Sequence, residues 1–210
     1  MFSDPATFRT AEPFPHVVID DLWDAARLRA IAAEFPPATD PRWVTYPDPK
    51  ERGKRCGGPD MWGPETHRWF SDMRTPEMAR ELETLTGIQS LSADTLGGGM
   101  HMTSDGGRLA SHVDFNIHPH DPTRERRVNV LVFLNPLWRN EWGGALVLGE
   151  HRDVEITPTF NRTVIFETSD RSWHGHPDPI AGEHHRKSLA CYFYAPRRTE
   201  ASNPHSTIWR

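Results

Sequence analysis

The chain has 210 residues, enough for one well-buried domain and too few to expect a second. Its 24 Lys+Arg against 29 Asp+Glu give a formal charge of −5, which argues against a general nucleic-acid or anionic-membrane partner, and no stretch reaches bilayer-spanning length. The two cysteines, Cys56 and Cys191, stand far apart in unlike settings and suggest no disulfide framework; with no charged leader before an apolar run, a reducing, cytoplasmic setting is expected.

Residues 13–19 read as a short strand, with Phe14, Val17, Val18 and Ile19 apolar. Asp20 or Asp21 is placed to cap a helix running to about Phe35, with Leu22, Ala25, Leu28, Ile31, Ala32 and Phe35 at helical spacing. Pro36-Pro37 stops it. From 38 to 64 the pattern dissolves into Pro, Gly and charge, and so long a loop is expected to be functional or mobile. Tyr46, Lys50, Arg52, Lys54, Arg55 and Trp62 are its candidates for a substrate lid, a solvated charged loop being the alternative. A further helix is signalled by Thr75 as N-cap, Pro76 at the first helical position and Gly87 just past the end, with Met78, Leu82 and Leu85 as its apolar stripe.

Beyond Gly87 the character turns to strands and turns. Strands are predicted at 91–102, interrupted by Gly97-Gly98-Gly99, then at 109–115, 127–135, 145–148, 154–157, 163–167 and 188–194. Turns fall at 105–107 and 141–144, and a polar loop at 119–125. This layout predicts a mostly β fold, an antiparallel sandwich or barrel with helices outside one sheet. One domain over 1–210 is expected, with helical support over about 1–90 and a β core over about 91–196.

Three features carry chemistry. His112 and Asp114 are two apart, so in a strand an imidazole and a carboxylate would leave the same face. That pair suits a divalent metal such as iron(II), or forms a plain hydrogen-bonded pair at a strand edge. A third ligand is expected downstream, at His174 with His176 as its competitor, completing the facial triad of non-haem iron oxygenases. Arg186 and Ser188 share a strand face, and a guanidinium with a hydroxyl can hold the far carboxylate of a diacid that chelates the metal; a surface salt bridge to Glu183 is the alternative. Trp173, Phe133, Leu131 and Leu146 are candidates to line the pocket.

With these features in this order, the chain resembles the iron(II)/2-oxoglutarate-dependent dioxygenases, specifically the prolyl-4-hydroxylase-like branch. The motifs are Phe14-Pro15-His16-Val17-Val18-Ile19-Asp20-Asp21 with its following helix, His112-Val113-Asp114, the 128–135 strand, Gly143-Gly144, Trp173-His174-Gly175, and Arg186-Lys187-Ser188 ahead of Tyr192-Phe193. The 36–75 stretch and the C-terminal tail stay unmatched. The resemblance implies a double-stranded β-helix (a cupin-like jelly roll), with His112, Asp114 and His174 as iron(II) ligands. It implies Arg186 as the anchor of 2-oxoglutarate, O2 as cosubstrate, and ascorbate as an aid in vitro. Prolyl hydroxylases often have Tyr where this chain has Phe133 and near Met102, so Ser188 and Asn129 are expected to replace those cosubstrate contacts. Asp114 in place of a Gly or Ala favours hydroxylation over halogenation. The implied activity is hydroxylation of an unactivated C–H on a small-molecule or peptidyl, proline-like substrate, giving succinate and CO2. The alternative is a jelly-roll metal protein with isomerase-like chemistry, which has no need of a diacid anchor at Arg186. The basic stretch from Lys50 to Arg55 points to an acidic or phosphorylated group on the substrate.

Overall fold

The computed structural model describes residues 2, 4–198 and 203–210. Its elements in chain order are α1 (Pro5–Thr10), β1 (His16–Asp20), α2 (Ala25–Ala33), β2 (Val44–Thr45), β3 (Lys54–Gly57), α3 (Pro64–Met73), α4 (Pro76–Thr86), β4 (Ser92–Thr103), β5 (Leu109–Val113), β6 (Ile117–His118), β7 (Asp121–Phe133), β8 (Leu146–Leu148), β9 (Val154–Ile156), β10 (Arg162–Glu167), β11 (His174–His176), β12 (Arg186–Pro196) and β13 (Ile208–Trp209). They build two antiparallel sheets. The larger runs β1-β10-β7-β12-β4-β3-β2, with β6 also pairing β7, and the smaller runs β13-β5-β11-β8-β9. This is the expected jelly roll with flanking helices.

The period-two alternation of strands divides the larger sheet between two environments. Val128, Val130 and Val132 of β7 and Leu189, Cys191 and Phe193 of β12 face the helices, in a core with Leu28, Ile31, Trp69, Phe70, Leu82 and Leu85. The intervening residues, Leu131 and Phe133 of β7 and Ser188, Ala190 and Tyr192 of β12, face the smaller sheet and the cavity between the sheets. Strands apolar on both faces are what this double coverage requires.

Several boundaries differ from expectation. α2 starts at Ala25, because Asp24 accepts the Arg27 N–H as its cap while Asp21 sits in a left-handed turn at φ 54°. The 38–64 stretch is not all loop: within it β3 pairs with β4, β2 pairs with β3, and the larger sheet is extended at that edge. Trp62 is core, stacked on Phe70 at 4.1 Å with its indole N–H on the Gly57 carbonyl. The 119–125 loop is largely the start of β7, and β5 ends at Val113, short of Asp114 and Phe115. β4 passes through its glycines unbroken, although its pairing with β12 is irregular between Ala190 and Tyr192.

The helix α3 lay unpredicted because its N-terminal cap comes from a distant residue. Gly63 supplies no side-chain cap. Glu34, at the end of α2, accepts the Glu65 N–H at 2.8 Å on Oε1 and the Thr66 N–H at 2.9 Å and hydroxyl at 2.6 Å on Oε2. A carboxylate there satisfies orphan donors and meets the positive end of the helix dipole. Glu34→Ala strands the fully buried Thr66 hydroxyl and is expected to lower the unfolding free energy by about 2 kcal/mol. Urea denaturation of the metal-free protein measures this, and an unchanged midpoint would refute the capping role.

Candidate active site

β11 lies between β5 and β8, and His174 is the direct cross-strand partner of His112. Directly opposed residues leave the same face, and the two rings meet with centroids 4.4 Å apart. Each Nδ1 lies 2.9 Å from a backbone carbonyl two residues upstream, Ala110 for His112 and Ser172 for His174. A carbonyl only accepts, so each Nδ1 carries the proton and each Nε2 keeps its lone pair for a cation. Burial and then the neighbouring His112 lower the His174 pKa to about 4, which keeps that ring neutral at physiological pH.

Asp114 stands one residue beyond β5, so strand geometry does not aim it. A clamp from the other sheet does. Its Oδ2 accepts from Arg126 Nη2 at 2.8 Å and Asn129 Nδ2 at 2.9 Å, both on β7. Oδ1 lies 3.6 Å from His112 Nε2, and Oδ2 lies 3.4 Å from His174 Nε2. The three donor atoms fall within 4.8 Å of one another, and among the described residues this is the one His/Cys/Asp/Glu cluster so arranged. Burial pushes the Asp114 pKa up, but Arg126, His174 and His112 together hold it well below the usual carboxylate range. Two imidazole nitrogens and one carboxylate, each held by a second bond, fit a divalent cation bound on one face. The sequence left His174 and His176 open as third ligand. His174 joins the donor cluster, whereas His176 lies opposite Leu109, and burial and then the Arg186 charge hold its pKa well below normal.

Arg126 was not anticipated. Its guanidinium is buried, donates from Nε to Asn129 Oδ1 at 2.9 Å and lies 3.4 Å from the centroid of the Tyr192 ring. Strict alternation from Asn129 would turn an even-numbered residue toward the helices. The β7–β12 register slips between Phe193 and Tyr194, and this bulge turns Arg126 into the cavity. Sequence alternation carries no sign of it.

The floor of the cavity is a cross-strand grid. Arg186, Thr103 and Lys54 form one row across β12, β4 and β3, and Ser188 and His101 begin the next. Arg186 is buried, donates from Nε to the Gly144 carbonyl at 2.7 Å and lies 4.8 Å from the centroid of the Phe133 ring. Among the described residues it has no carboxylate partner, Glu183 included, and burial lowers its pKa to about 9. Ser188 lines the cavity beside it. Asn129 also lines the cavity, but its amide is engaged by Asp114 and Arg126. Leu131 and Leu146 form apolar wall, while Phe133 underlies Arg186 and Trp173 meets Arg210. Met102 packs among the helices, and its neighbours His101 and Thr103 reach the cavity instead.

A jelly roll that gathers two imidazoles, a clamped carboxylate and a buried, carboxylate-free arginine around one cavity has the donor chemistry for a divalent cation and for the far end of a diacid. Residues 98–194 match the family model of the 2OG-Fe(II) oxygenase superfamily. The prolyl 3-hydroxylase OGFOD1 of Mus musculus is 33% identical over 89 residues, covering 38% of this chain; the chain thus spans only 16% of that relative's length. Among solved structures, a Pseudomonas putida prolyl-4-hydroxylase is similar with TM-score 0.64 at 18% identity, covering 92% of this chain and 98% of that one. A Trichoplax adhaerens prolyl hydroxylase, solved with a hypoxia inducible factor peptide fragment, has TM-score 0.65 at 18% identity, with 90% and 86% covered. Residues 98–194 thus carry the match to the 2OG-Fe(II) oxygenase superfamily, and the chain as a whole has the fold of prolyl hydroxylases.

The Asp114–Arg126 pair gives a pH-dependent expectation for the metal-free protein. A carboxyl depressed on folding contributes stability above its unfolded pKa and loses it as pH falls through the lower folded value. In Arg126→Leu the buried Asp114 charge loses its partner, which costs about 3 kcal/mol at pH 7. Burial then raises its pKa, so the deficit against the native protein shrinks as the pH is lowered through the carboxylate range. Urea denaturation at stepped pH reads this directly; a deficit that stays flat with pH would mean Arg126 acts by packing alone.

Proposed function

We propose that the chain is an iron(II)/2-oxoglutarate-dependent dioxygenase that hydroxylates an unactivated C–H on a small-molecule or peptidyl, proline-like substrate. The observation that carries this is Arg186. A buried guanidinium without a carboxylate is costly to keep, and it shares its cavity with the three-donor cluster. A five-carbon diacid chelating the metal at one end supplies the missing anion at the other. A metal isomerase needs no such anchor.

In this proposal His112 and His174 each present Nε2 and Asp114 presents the oxygen not taken up by Arg126 and Asn129. Arg186 receives the distal carboxylate in a bidentate pair, and Ser188 adds a hydroxyl bond. Thr103, in the same row, offers a second hydroxyl. Leu131 and Leu146 keep one wall dry, which strengthens every charge interaction inside. When bound, the iron and 2-oxoglutarate supply oxidative decarboxylation coupled to oxygen insertion into the substrate, with succinate and CO2 as products. Ascorbate serves the assay by keeping the metal reduced. Residues 1–210 act as one domain, with the helices of 1–90 backing the sheet and 91–196 carrying the chemistry. Two buried, unpaired thiols support a cytoplasmic setting. The likeness to prolyl hydroxylases supports a proline-like target, and the substrate is one small molecule or a peptide, not a nucleic acid.

The test is 2-oxoglutarate binding to the Mn(II)-loaded protein, together with succinate release under iron(II), ascorbate and O2. Arg186→Met is expected to weaken 2-oxoglutarate by at least about thirtyfold, the loss typical of a truncated buried charge pair. Native protein should prefer 2-oxoglutarate over 2-oxobutyrate, which lacks the distal carboxylate. Equal binding of the two by the native protein would sink the diacid role.

A further inference from the structure

The strand β13 lies outside 98–194 and outside every motif of the resemblance, yet it is laid against the strand that carries His112. Ile208 pairs with Val113 and Trp209 with His112, and the Arg210 N–H donates to the Ser111 carbonyl at 2.9 Å. The Trp209 ring stands 4.9 Å from the His112 ring, tilted by 38°. His112 therefore has two ring neighbours, its fellow donor His174 and this tryptophan.

The same segment is tied down beside all three donors. Asn116, two residues beyond Asp114, donates to the Asn203 carbonyl at 3.0 Å and accepts the His205 N–H at 3.0 Å. His205 Nε2 meets Asp170 Oδ1 at 3.1 Å, in the turn leading to His174. Arg210 donates to the Glu150 carbonyl at 2.9 Å, pairs with the Glu150 carboxylate, and lies 5.4 Å from the ring of Trp173, the residue before His174. From the facing 3-10 turn at Pro49–Glu51, Lys50 lies 5.9 Å from the Trp209 ring.

We propose that Trp209 is a positioning residue for the metal centre: it fixes the His112 ring so that Nε2 faces the cation, and the 203–210 strap thereby sets metal affinity. This rests on the iron reading above. The physical need is specific. The Nδ1 bond to the Ala110 carbonyl sets the tautomer of His112, but a single bond leaves the ring free to tilt; a second ring packed on it removes that freedom. Without β13, β5 would be the unpaired edge of its sheet, and short edge strands fray.

The experiment is Mn(II) binding by the intact chain, followed by electron paramagnetic resonance, with the d–d spectrum of the Co(II) form as a second readout. Trp209→Ala is expected to weaken Mn(II) by about tenfold or more, as outer-shell losses do at metal-bound histidines, and to change the Co(II) spectrum. Trp209→Phe, which keeps a ring, should return affinity to within about threefold of native. Ile208→Ala, one residue away on the opposite face of β13, should leave both readouts unchanged. Trp209→Leu keeps apolar bulk without a ring and replaces the alanine variant should that one fail to fold. Native affinity in both the Ala and Leu variants, or an equal loss in Ile208→Ala, overturns the inference. Native protein that takes up no Mn(II) overturns the metal reading itself, an outcome distinct from the failure of Trp209.

Discussion

The site depends on the pairing register of two short strands. β5 and β11 are held so that His112 faces His174, and in a ladder of period two a slip by one residue would turn one imidazole out of the cavity. β11 has only three residues, too few to fix a register unaided. It is held from both sides, by β5 and by β8, and the turn before it is closed by Ser172, whose hydroxyl bonds the Ser169 carbonyl and whose own carbonyl takes the His174 Nδ1 proton. Ser172 thus serves both the fold and the chemistry: its hydroxyl closes the turn and its carbonyl fixes the tautomer. Asp114 is fixed differently, by a clamp reaching across from the larger sheet. The donor cluster is therefore also a joint between the two sheets, and its geometry reports their spacing.

Charge explains why so polar a cavity survives in the middle of the fold. Arg126, Arg186 and Lys54 all line it, against Asp114 as the carboxylate among the lining residues. Lys54 is answered from outside by Glu51 at 2.8 Å. Arg126 is answered by Asp114 and by the face of Tyr192. Arg186 has only a backbone carbonyl and a phenyl face, which orient a guanidinium without neutralising it. A divalent cation beside Asp114 and a dianion reaching Arg186 add no net charge, yet each answers a local imbalance. In the proposed complex the two ligands would therefore support one another: the metal would offset repulsion around the near carboxylate, and the arginine would hold the far one.

Much of this was legible from residue types and spacing. The helix over α4 shows its cap, its first-turn proline and its closing glycine in sequence, and Thr75 and Gly87 occupy those places. His112, Asp114, His174, Arg186 and Ser188 stood out because a facial donor set and a carboxylate anchor need particular residue types in or beside strands, and the fold gathers all five around one cavity. What was hidden depends on long-range contacts. Glu34 caps a helix that begins thirty residues after it in the chain. Arg126 sits in a run of charge that reads as loop, and only a register slip against β12 sends it inward. The 38–64 stretch has the composition of a loop, yet Lys54–Gly57 within it becomes strand because β4 offers it an edge. The histidine and threonine of β4 escaped notice for a related reason: its glycines blur the alternation that would have assigned His101 and Thr103 to the cavity.

The division of labour along the chain follows from which segments reach the cavity. Of its lining residues, Lys54 alone comes from outside 98–194. The candidate donors, the candidate anchor and the apolar wall therefore all fall within the family-matched residues. Discrimination among substrates needs groups that vary while those stay fixed. The β2–β3 edge and the strap at 203–210 lie outside the family-matched residues and approach each other where Lys50 lies 5.9 Å from the Trp209 ring. Lys54, partly buried with its ammonium on Glu51 and near the Tyr46 ring, brings a charge into the cavity from that side. An anionic group on a substrate would find it there, whereas an uncharged one would have to leave the Lys54–Glu51 pair intact. Lys54 is thus the charge that an element outside 98–194 brings to the cavity among the described residues.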